Sequence, residues 1–290
     1  MAIPFECYGC ILGSLPGLAE RATDDAAERH RLVKEFLQVI ASADEETTPP
    51  EFAAYFHRRV KEISGVEDFY REEKDASTEL AEQLLPELKK RVEQAEDPFE
   101  MAVRFVMGGN IIDYGANPDF DLNTAEKAIC EVMDMPLDLN AVSALKEAMA
   151  RAGSILYMLD NCGEAVIDHL LIDEYKDKIT IGVRGRAILN DVTPEEAIRS
   201  GYGGMPLIHT GDMAPGASLR TSSPEFLDAL QKFDLIIAKG QGNYETLCTL
   251  ERPIFHLLRI KCHVIAQRTG KENGSLYIEG RNTVCCISEK

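Results

Sequence analysis

The sequence contains no apolar run of the length that a membrane-spanning helix needs. No stretch of its 290 residues approaches the ~20 consecutive apolar residues that cross a bilayer. The N-terminus, MAIPFECYGC, lacks a basic segment followed by an apolar one, so it predicts no signal peptide. The eight cysteines lie mostly in apolar runs and do not resemble a short, loop-rich disulfide framework. We therefore expect free thiols, no membrane partner and a cytoplasmic location.

Basic residues are scarce relative to acidic ones. The chain has 31 Lys and Arg against 49 Asp and Glu, which gives a formal net charge of -18. Such a surface repels nucleic acid and anionic membranes, because binding to phosphate groups requires clustered basic side chains. It also repels a small anionic substrate at long range. A phosphate site in this chain therefore needs a local cation, and a bound metal ion would supply one.

Several familiar catalytic motifs are missing. The chain has no GxSxG elbow, no Walker A lysine loop and no GxGxxG after a strand, which disfavours α/β-hydrolases, P-loop enzymes and dinucleotide-binding enzymes. The six histidines form no metal-ligand cluster, which argues against the histidine-rich binuclear phosphatases. Cys7 and Cys10 form a CxxC pair with no second pair to complete a zinc site. Structural thiols, a metal site with a distant ligand and redox chemistry are the three roles open to this pair.

Apolar residues recur at helical spacing through the first half of the chain. Thr48 followed by two prolines predicts a helix start, and Asp97 followed by Pro98 predicts another. The predicted helices cover residues 17–41, about 49–63, 70–95, 98–108, 123–133 and 140–150. We expect an all-helical domain over residues 1–150.

The pattern changes at residue 154. The run SILYMLD (154–160) is short and apolar, as in a buried parallel strand, and a helical segment follows it. The alternation continues through KITIGVRG, MPLIHTG, FDLIIAKGQGN and IFHLLRIKCHVIAQRTG, and the tail YIEGRNTVCC predicts an edge strand. Alternating strands and helices favour a parallel sheet covered on both faces. Residues 151–290 therefore predict a three-layer α/β/α domain with a mainly parallel sheet.

Polar residues stand at the carboxyl ends of these predicted strands, which is the edge where open parallel sheets bind ligands. The strands are followed by Asp160-Asn161, Asn190-Asp191, Thr210-Gly211-Asp212 and Lys239-Gly-Gln-Gly-Asn243. Carboxylate and amide oxygens suit Mg²⁺ or Mn²⁺. Lys239 suits the phosphate of a substrate, which the backbone of Gly240 can approach closely.

Each of these features also has a purely structural interpretation. Asp160-Asn161 is equally typical of a helix cap, and the glycine-rich segment after Lys239 is typical of a plain turn. Thr193 starts a predicted capping box that does not need Asp191. Their joint occurrence on consecutive strand ends is what favours a functional site.

Several segments resemble the signatures of the damage-control phosphatases, in their order along the chain. They are GGNIIDYG (108–115), LDNCGE (159–164), LNDVT (189–193), TGDMAPG (210–216), AKGQGNYE (238–245) and the N-terminal CxxC pair. The resemblance extends from Cys7 to about Tyr277. It implies a helical domain beside a Rossmann-like domain. It also implies divalent-metal-dependent hydrolysis of phosphate monoesters such as sugar phosphates and damaged phosphometabolites.

The resemblance implies roles for particular residues. The matched positions are Asp160, Asn161 and Asp191 as metal ligands, Lys239 as the phosphate contact, and Asn110 and Asp113 as helical-domain residues that touch the sugar or the metal-bound water. We also expect Gly240 and Asn243 to bind the substrate. The metal would be Mg²⁺, Mn²⁺, Co²⁺ or Ni²⁺, and Asp160, Asp191 and Lys239 would carry the catalysis. Either a metal-activated water or the Asp160 carboxylate would attack the phosphorus atom.

Two other classes of function compete with a phosphatase. One branch of the family is described as methylating carboxylates with S-adenosylmethionine, but such enzymes usually carry a glycine-rich turn after the first strand, where this chain has Asp160-Asn161. The second class is a non-enzymatic protein that binds a metal or metabolite through the same polar cluster. In the favoured interpretation the partner is a small-molecule phosphate ester, and the sequence makes no prediction about oligomeric state.

Overall fold

The computed structural model describes residues 3–109 and 122–282 of the chain. The predicted substrate contacts Asn110 and Asp113 lie outside these residues. In the helical half, the helices are α1 (Cys7–Ala22), α2 (Ala26–Ser42), α3 (Pro49–Ser64), α4 (Arg71–Gln94), α5 (Pro98–Gly108), α6 (Leu122–Cys130) and α7 (Leu139–Arg151). The helix starts predicted at Pro49 and Pro98 are confirmed.

The prediction of one helix over residues 17–41 is wrong. Two helices cover this region, and the chain leaves helical geometry at Thr23 and Asp25 between them. The Asp25 side chain accepts hydrogen bonds from the backbone N–H groups of Ala27 and Glu28, which otherwise lack partners at the start of α2. A helix cap in the middle of an apolar pattern therefore separates α1 from α2.

Two separate apolar cores stabilise the helical half. Helices α1 to α3 share one core, which includes Leu15, Phe36 and Phe56. Helices α4 to α7 instead bury residues such as Leu84 and Val103 in the same core as the sheet. The boundary at residue 150 stays a prediction, and the larger core is continuous across it.

A six-stranded sheet forms the centre of the C-terminal half. Its strands are β1 (Ile155–Met158), β2 (Ile179–Val183), β3 (Leu207–His209), β4 (Leu235–Lys239), β5 (Ile254–Arg259) and β6 (Leu276–Arg281). Their order across the sheet is β3-β2-β1-β4-β5-β6, and all pairs are parallel except β5 with β6. The edge strand predicted near the C-terminus is confirmed as β6.

Helices cover both faces of this sheet. The helices of this half are α8 (Glu164–Ile167), α9 (His169–Ile172), α10 (Pro194–Ala197), α11 (Pro224–Leu230), α12 (Gly240–Leu247) and α13 (His263–Thr269). One face packs against α4 to α7 through Ile155 and Ile237, and the other packs against α11 and α12 through Leu156 and Ile236. The predicted three-layer α/β/α architecture is confirmed. Among the residues described, no helix has the length and apolar character to span a membrane.

The strand order identifies where a ligand site is expected. The chain moves outward from β1 to β2 and β3, and then returns to the other side of β1 at β4. Open sheets bind ligands beyond the carboxyl ends of the strands at such a reversal point. Asp160 follows β1 and Gly240 follows β4, so both lie at this position.

Candidate functional site

The segments that contain Asp160-Asn161 and Asp191 lie against each other. Asn161 and Asp191 form an isolated antiparallel bridge. The backbone N–H of Cys162 donates to the carbonyl oxygen of Asn190 at 2.8 Å, and that of Val192 donates to the carbonyl oxygen of Asp160 at 3.0 Å. The structure therefore brings together the three predicted metal ligands, which the sequence separates by about thirty residues.

A buried arginine, absent from the sequence-based site, joins the two carboxylates. Arg184 follows β2 and its side chain is inaccessible to solvent. Its Nε donates to Asp191 Oδ2 at 2.6 Å, and its Nη2 donates to Asp160 Oδ1 at 3.3 Å. The guanidinium compensates part of the negative charge and fixes the distance between the two aspartates. A charged residue at the end of the apolar run KITIGV was the available signal, because an arginine at such a position requires buried partners.

The two aspartates lie in an environment that opposes their ionisation. Burial, together with the nearby carboxylates of Glu164 and Asp191, raises the pKa of Asp160 to about 8 despite the opposing effect of Arg184. Burial also raises the pKa of Asp191. A cation added at this position would relieve the repulsion between these groups.

Gly240 allows the end of β4 to approach Asp160. Its backbone has φ 80°, a conformation that favours glycine, and a β-carbon at this position would overlap the Asp160 carboxylate. Gly240 therefore shapes the site through its backbone, and its contact with a substrate phosphate stays a prediction.

Lys239, at the end of β4, is buried inside the protein. Its side chain is fully buried, and its Nζ donates to Glu164 Oε1 at 2.6 Å, to Asp168 Oδ1 at 2.7 Å and to the Val106 carbonyl oxygen at 2.7 Å. Although burial alone lowers the pKa of a lysine, the two carboxylates offset this effect and raise the pKa of Lys239 above its usual range. All three ammonium donors are thus engaged inside the protein. The contact between Lys239 and a substrate phosphate stays a prediction, which this geometry does not favour. We refer to Lys239, Glu164 and Asp168 as the buried ion cluster.

Asn243 is also structural in this arrangement. Its side chain is fully buried, and its Nδ2 donates to the carbonyl oxygens of Leu159 at 3.2 Å and Lys239 at 2.8 Å. The amide therefore ties α12 to the ends of β1 and β4. The contact of Asn243 with a substrate stays a prediction, and both of its amide donors are used inside the protein.

The predicted metal ligands line an open pocket of about 560 Å³. We call it the strand-end pocket, and its lining residues are Pro49, Pro50, Ala53, Tyr70, Glu73, Asp160, Asn161, Leu189, Asn190, Asp191, Pro215, Gln241, Gly242, Glu245 and Lys261. Helix α3 and the start of α4 form one wall, and the strand ends form the other. The pocket is therefore a cleft between helices of the N-terminal half and the sheet.

Lys261 is the basic residue that lines this pocket. It is exposed and lies between β5 and α13, and its backbone N–H donates to Gln241 Oε1 at 3.0 Å. Burial raises the pKa of both Asp160 and Asp191, and the positive charge of Lys261 opposes part of this increase. Lys261 follows an apolar run and no conspicuous turn motif marks it, so the sequence pattern gave no signal for a site residue there.

The strand-end pocket offers a donor set that suits a hard divalent cation. Asp160 and Asp191 supply carboxylate oxygens and Asn161 supplies an amide oxygen, which are the ligand types of Mg²⁺ and Mn²⁺ sites. Within residues 3–109 and 122–282, no three His, Cys, Asp or Glu side chains are grouped to hold a metal ion. The candidate site therefore depends on the amide of Asn161 as its third ligand.

The CxxC cysteines lie in the first turn of helix α1, and Cys7 lines a cavity that shares Pro49 and Glu245 with the strand-end pocket. This second cavity has a volume of about 250 Å³ and is also lined by Cys248 and Cys262. Burial, with smaller contributions from neighbours that include Glu245, raises the pKa of Cys7 to about 11. A thiol with a raised pKa is a poor nucleophile at neutral pH.

Comparison with known proteins identifies the family. Residues 3–277 match the family model described as the damage-control phosphatase ARMT1-like domain. The chain belongs to the damage-control phosphatase family. The resemblance proposed from the sequence motifs is thereby confirmed.

Relatives of nearly the same length support this assignment. A damage-control phosphatase from Archaeoglobus fulgidus is 35% identical over 287 residues, covering 95% of this chain and 98% of that protein. A second one, from Pyrococcus horikoshii, is 30% identical over 283 residues, covering 95% and 97%. The crystal structure of a DUF89 family protein from Pyrococcus horikoshii has a TM-score of 0.84 at 30% identity, covering 95% of this chain and 98% of that one. Membership of the damage-control phosphatases supports a phosphatase role for the chain.

Proposed function

We propose that the chain is a metal-dependent phosphatase that hydrolyses phosphate monoesters of small metabolites, with sugar phosphates as the first class to test. The observation that carries this proposal is the strand-end pocket, where Asp160, Asn161 and Asp191 meet at the reversal point of the sheet. Family membership supports the reaction class. The pocket supports the metal dependence, because acidic groups predominate among its charged lining residues and an anionic substrate needs a cation there.

Each residue has a defined task in this proposal. Asp160, Asn161 and Asp191 would hold the divalent cation, while Arg184 keeps the two carboxylates oriented from behind. When bound, the cation would polarise the phosphoryl oxygens and neutralise charge as the P–O bond breaks.

Lys261 replaces Lys239 as the proposed phosphate contact. Lys261 is exposed and lines the strand-end pocket. The ammonium group of Lys239, in contrast, forms three hydrogen bonds inside the protein. A lysine on a long, flexible stem can follow a substrate phosphate as a point charge. The wall formed by α3 and the start of α4 would contact the remainder of the substrate.

The test is phosphate release from p-nitrophenyl phosphate and a panel of sugar phosphates. The protein is first treated with a chelator and then assayed alone and with Mg²⁺, Mn²⁺, Co²⁺ or Ni²⁺. We expect activity to be lost with the chelator and restored by at least one of these ions. Absence of metal-stimulated phosphate release from every substrate would contradict the proposal, and transfer of a methyl group from S-adenosylmethionine to a carboxylate would replace it.

A further inference from the structure

The amide of Asn161 is held in one orientation by two carboxylates. Its Nδ2 donates to Asp160 Oδ2 at 2.9 Å and to Glu164 Oε2 at 3.3 Å. Both N–H bonds of the amide therefore point at negative groups. Rotating the amide by half a turn would place its oxygen against the same two carboxylates, which repel it. Asn161 Oδ1 is thus left on the side of the amide opposite these donors.

Glu164 connects this amide to the buried ion cluster. The Glu164 side chain is about 2% exposed, and its two carboxylate oxygens have different partners. Oε2 accepts from Asn161, whereas Oε1 accepts from Lys239 Nζ at 2.6 Å. Lys239 is the counter-ion of this buried carboxylate.

We propose that Glu164 is a positioning residue, which fixes the Asn161 amide so that its oxygen faces the metal position, and that Lys239 acts through Glu164. This inference rests on the proposed function, since it assigns the chain's own residues to the support of the metal site. It also gives a role to the lysine of the AKGQGN segment that does not require contact with a substrate. Replacing a group that orients a metal ligand typically weakens metal binding by about 10–100-fold.

The test measures Mn²⁺ affinity by electron paramagnetic resonance of free Mn²⁺, without substrate. We expect Glu164→Gln, which removes the charge but keeps the shape, to weaken Mn²⁺ binding by about 10–100-fold. Asp168→Asn is the matched control, because Asp168 is equally buried and contacts Lys239 but is not bonded to Asn161. Its Mn²⁺ affinity should stay within about threefold of the parent, although its thermal stability falls.

A second background separates orientation from charge. In Asn161→Ala there is no amide to orient, so adding Glu164→Gln should change Mn²⁺ affinity by less than about threefold. An equal loss in both backgrounds would show that Glu164 acts only by its charge and would overturn the inference. Circular dichroism checks folding. Where Glu164→Gln does not fold, combining it with Lys239→Met and Asp168→Asn removes all three charges of the buried ion cluster, and this variant should show the same loss.

The outcomes distinguish this inference from the proposed function. If the parent chain binds no Mn²⁺, the metal site itself is wrong and the inference falls with it. If the parent and Glu164→Gln bind Mn²⁺ equally, the metal site stands and only the positioning role of Glu164 is overturned.

Discussion

Lys239 and Lys261 lie at the same edge of the sheet, but one is buried and the other is exposed to solvent. Lys239 is the last residue of β4, and Lys261 comes two residues after the neighbouring strand β5. The first is fully buried with three partners inside the protein. The second is exposed and lines the strand-end pocket. A position at the carboxyl end of a strand therefore does not by itself make a lysine a substrate ligand.

The alternation of side chains along β4 explains the difference. Successive residues of a strand point to opposite faces of the sheet. Leu235 and Ile237 face the layer formed by α4 to α7, and Lys239 continues this alternation toward the carbonyl oxygen of Val106 in α5. Lys261 lies beyond the last paired residue of β5, so the pleat no longer sets its direction. The face of β4 on which Lys239 lies therefore explains why its ammonium is buried.

The largest effect is expected at the floor of the strand-end pocket. Asp160→Asn should lower kcat/KM for the best phosphate ester by about 1,000-fold, or roughly 4 kcal/mol, because it removes a proposed metal ligand. Steady-state kinetics at saturating Mn²⁺ measures this. Asp212→Asn is the control, since Asp212 is a similarly buried strand-end carboxylate that pairs with Arg58 and lies outside the pocket. Equal activity of Asp160→Asn and the parent would show that the proposed metal ligand Asp160 is not needed for the reaction.

The buried lysine should matter mainly for stability. Lys239→Met leaves Glu164 and Asp168 buried without their cation, so the free energy of unfolding should fall by about 3 kcal/mol. Lys261→Met, on an exposed side chain, should change it by less than about 0.5 kcal/mol. Guanidinium chloride unfolding compares the two variants. Similar losses in both would show that the two lysines are not as different as their burial indicates.

A buried base without a carboxylate sharpens the contrast with Lys239. His256 in β5 is fully buried, and neither ring nitrogen has a hydrogen-bond partner among the residues that the structure describes. Burial, with nearby arginines, lowers its pKa from 6.5 to about 3. The unfolded chain therefore takes up a proton more readily than the folded one below about pH 6.5. Stability from this group is complete above that pH and is lost as the pH falls, by about 2 kcal/mol between about pH 7 and pH 5.

The measurement is the free energy of unfolding at both pH values, for the parent and for His256→Leu. Other groups titrate in both proteins, so the difference between the two pH profiles isolates the histidine. We expect the parent to lose more stability than the variant on acidification. Parallel profiles would mean that the buried imidazole keeps its proton in the folded state.

The smallest predicted effect concerns the exposed lysine. Lys261→Met should raise KM for a sugar phosphate by about tenfold with little change in kcat, because a phosphate contact present before and during the reaction binds both states alike. Lys232→Met, an exposed lysine outside the strand-end pocket, controls for the change in net charge. An unchanged KM in Lys261→Met would remove this residue from the proposed site.

Much of the architecture followed from local patterns. The proline entries at Pro49 and Pro98 and the apolar run after residue 154 predict elements that the structure contains. The break between α1 and α2 did not follow from apolar spacing, since a cap at Asp25 interrupts a pattern that remains periodic on both sides. The N-terminal helix α1 was missed for the first ten of its residues, because CYGCILGSLP contains glycines and a proline that disfavour helices.

Within the candidate site, the chemistry of the residues was readable and their mutual contacts were not. The resemblance to the family implied Asp160, Asn161 and Asp191 as a group of metal ligands, and the structure brings these three residues together. Arg184 was missed, since its role depends on reaching both aspartates at once.

The sequence by itself determined the family, the order of strands and helices, and the residue types that meet at the carboxyl edge of the sheet. The family follows from the resemblance of its motifs, and the other two properties follow from periodicity and strand direction, which are local. The tertiary structure determines which polar groups at that edge face the pocket and which form hydrogen bonds or ion pairs with one another inside the protein. Glu164 is the example, since its two oxygens join Lys239 to Asn161 across 75 and 3 residues of sequence. Such a group gains its function from neighbours that packing brings within hydrogen-bonding distance.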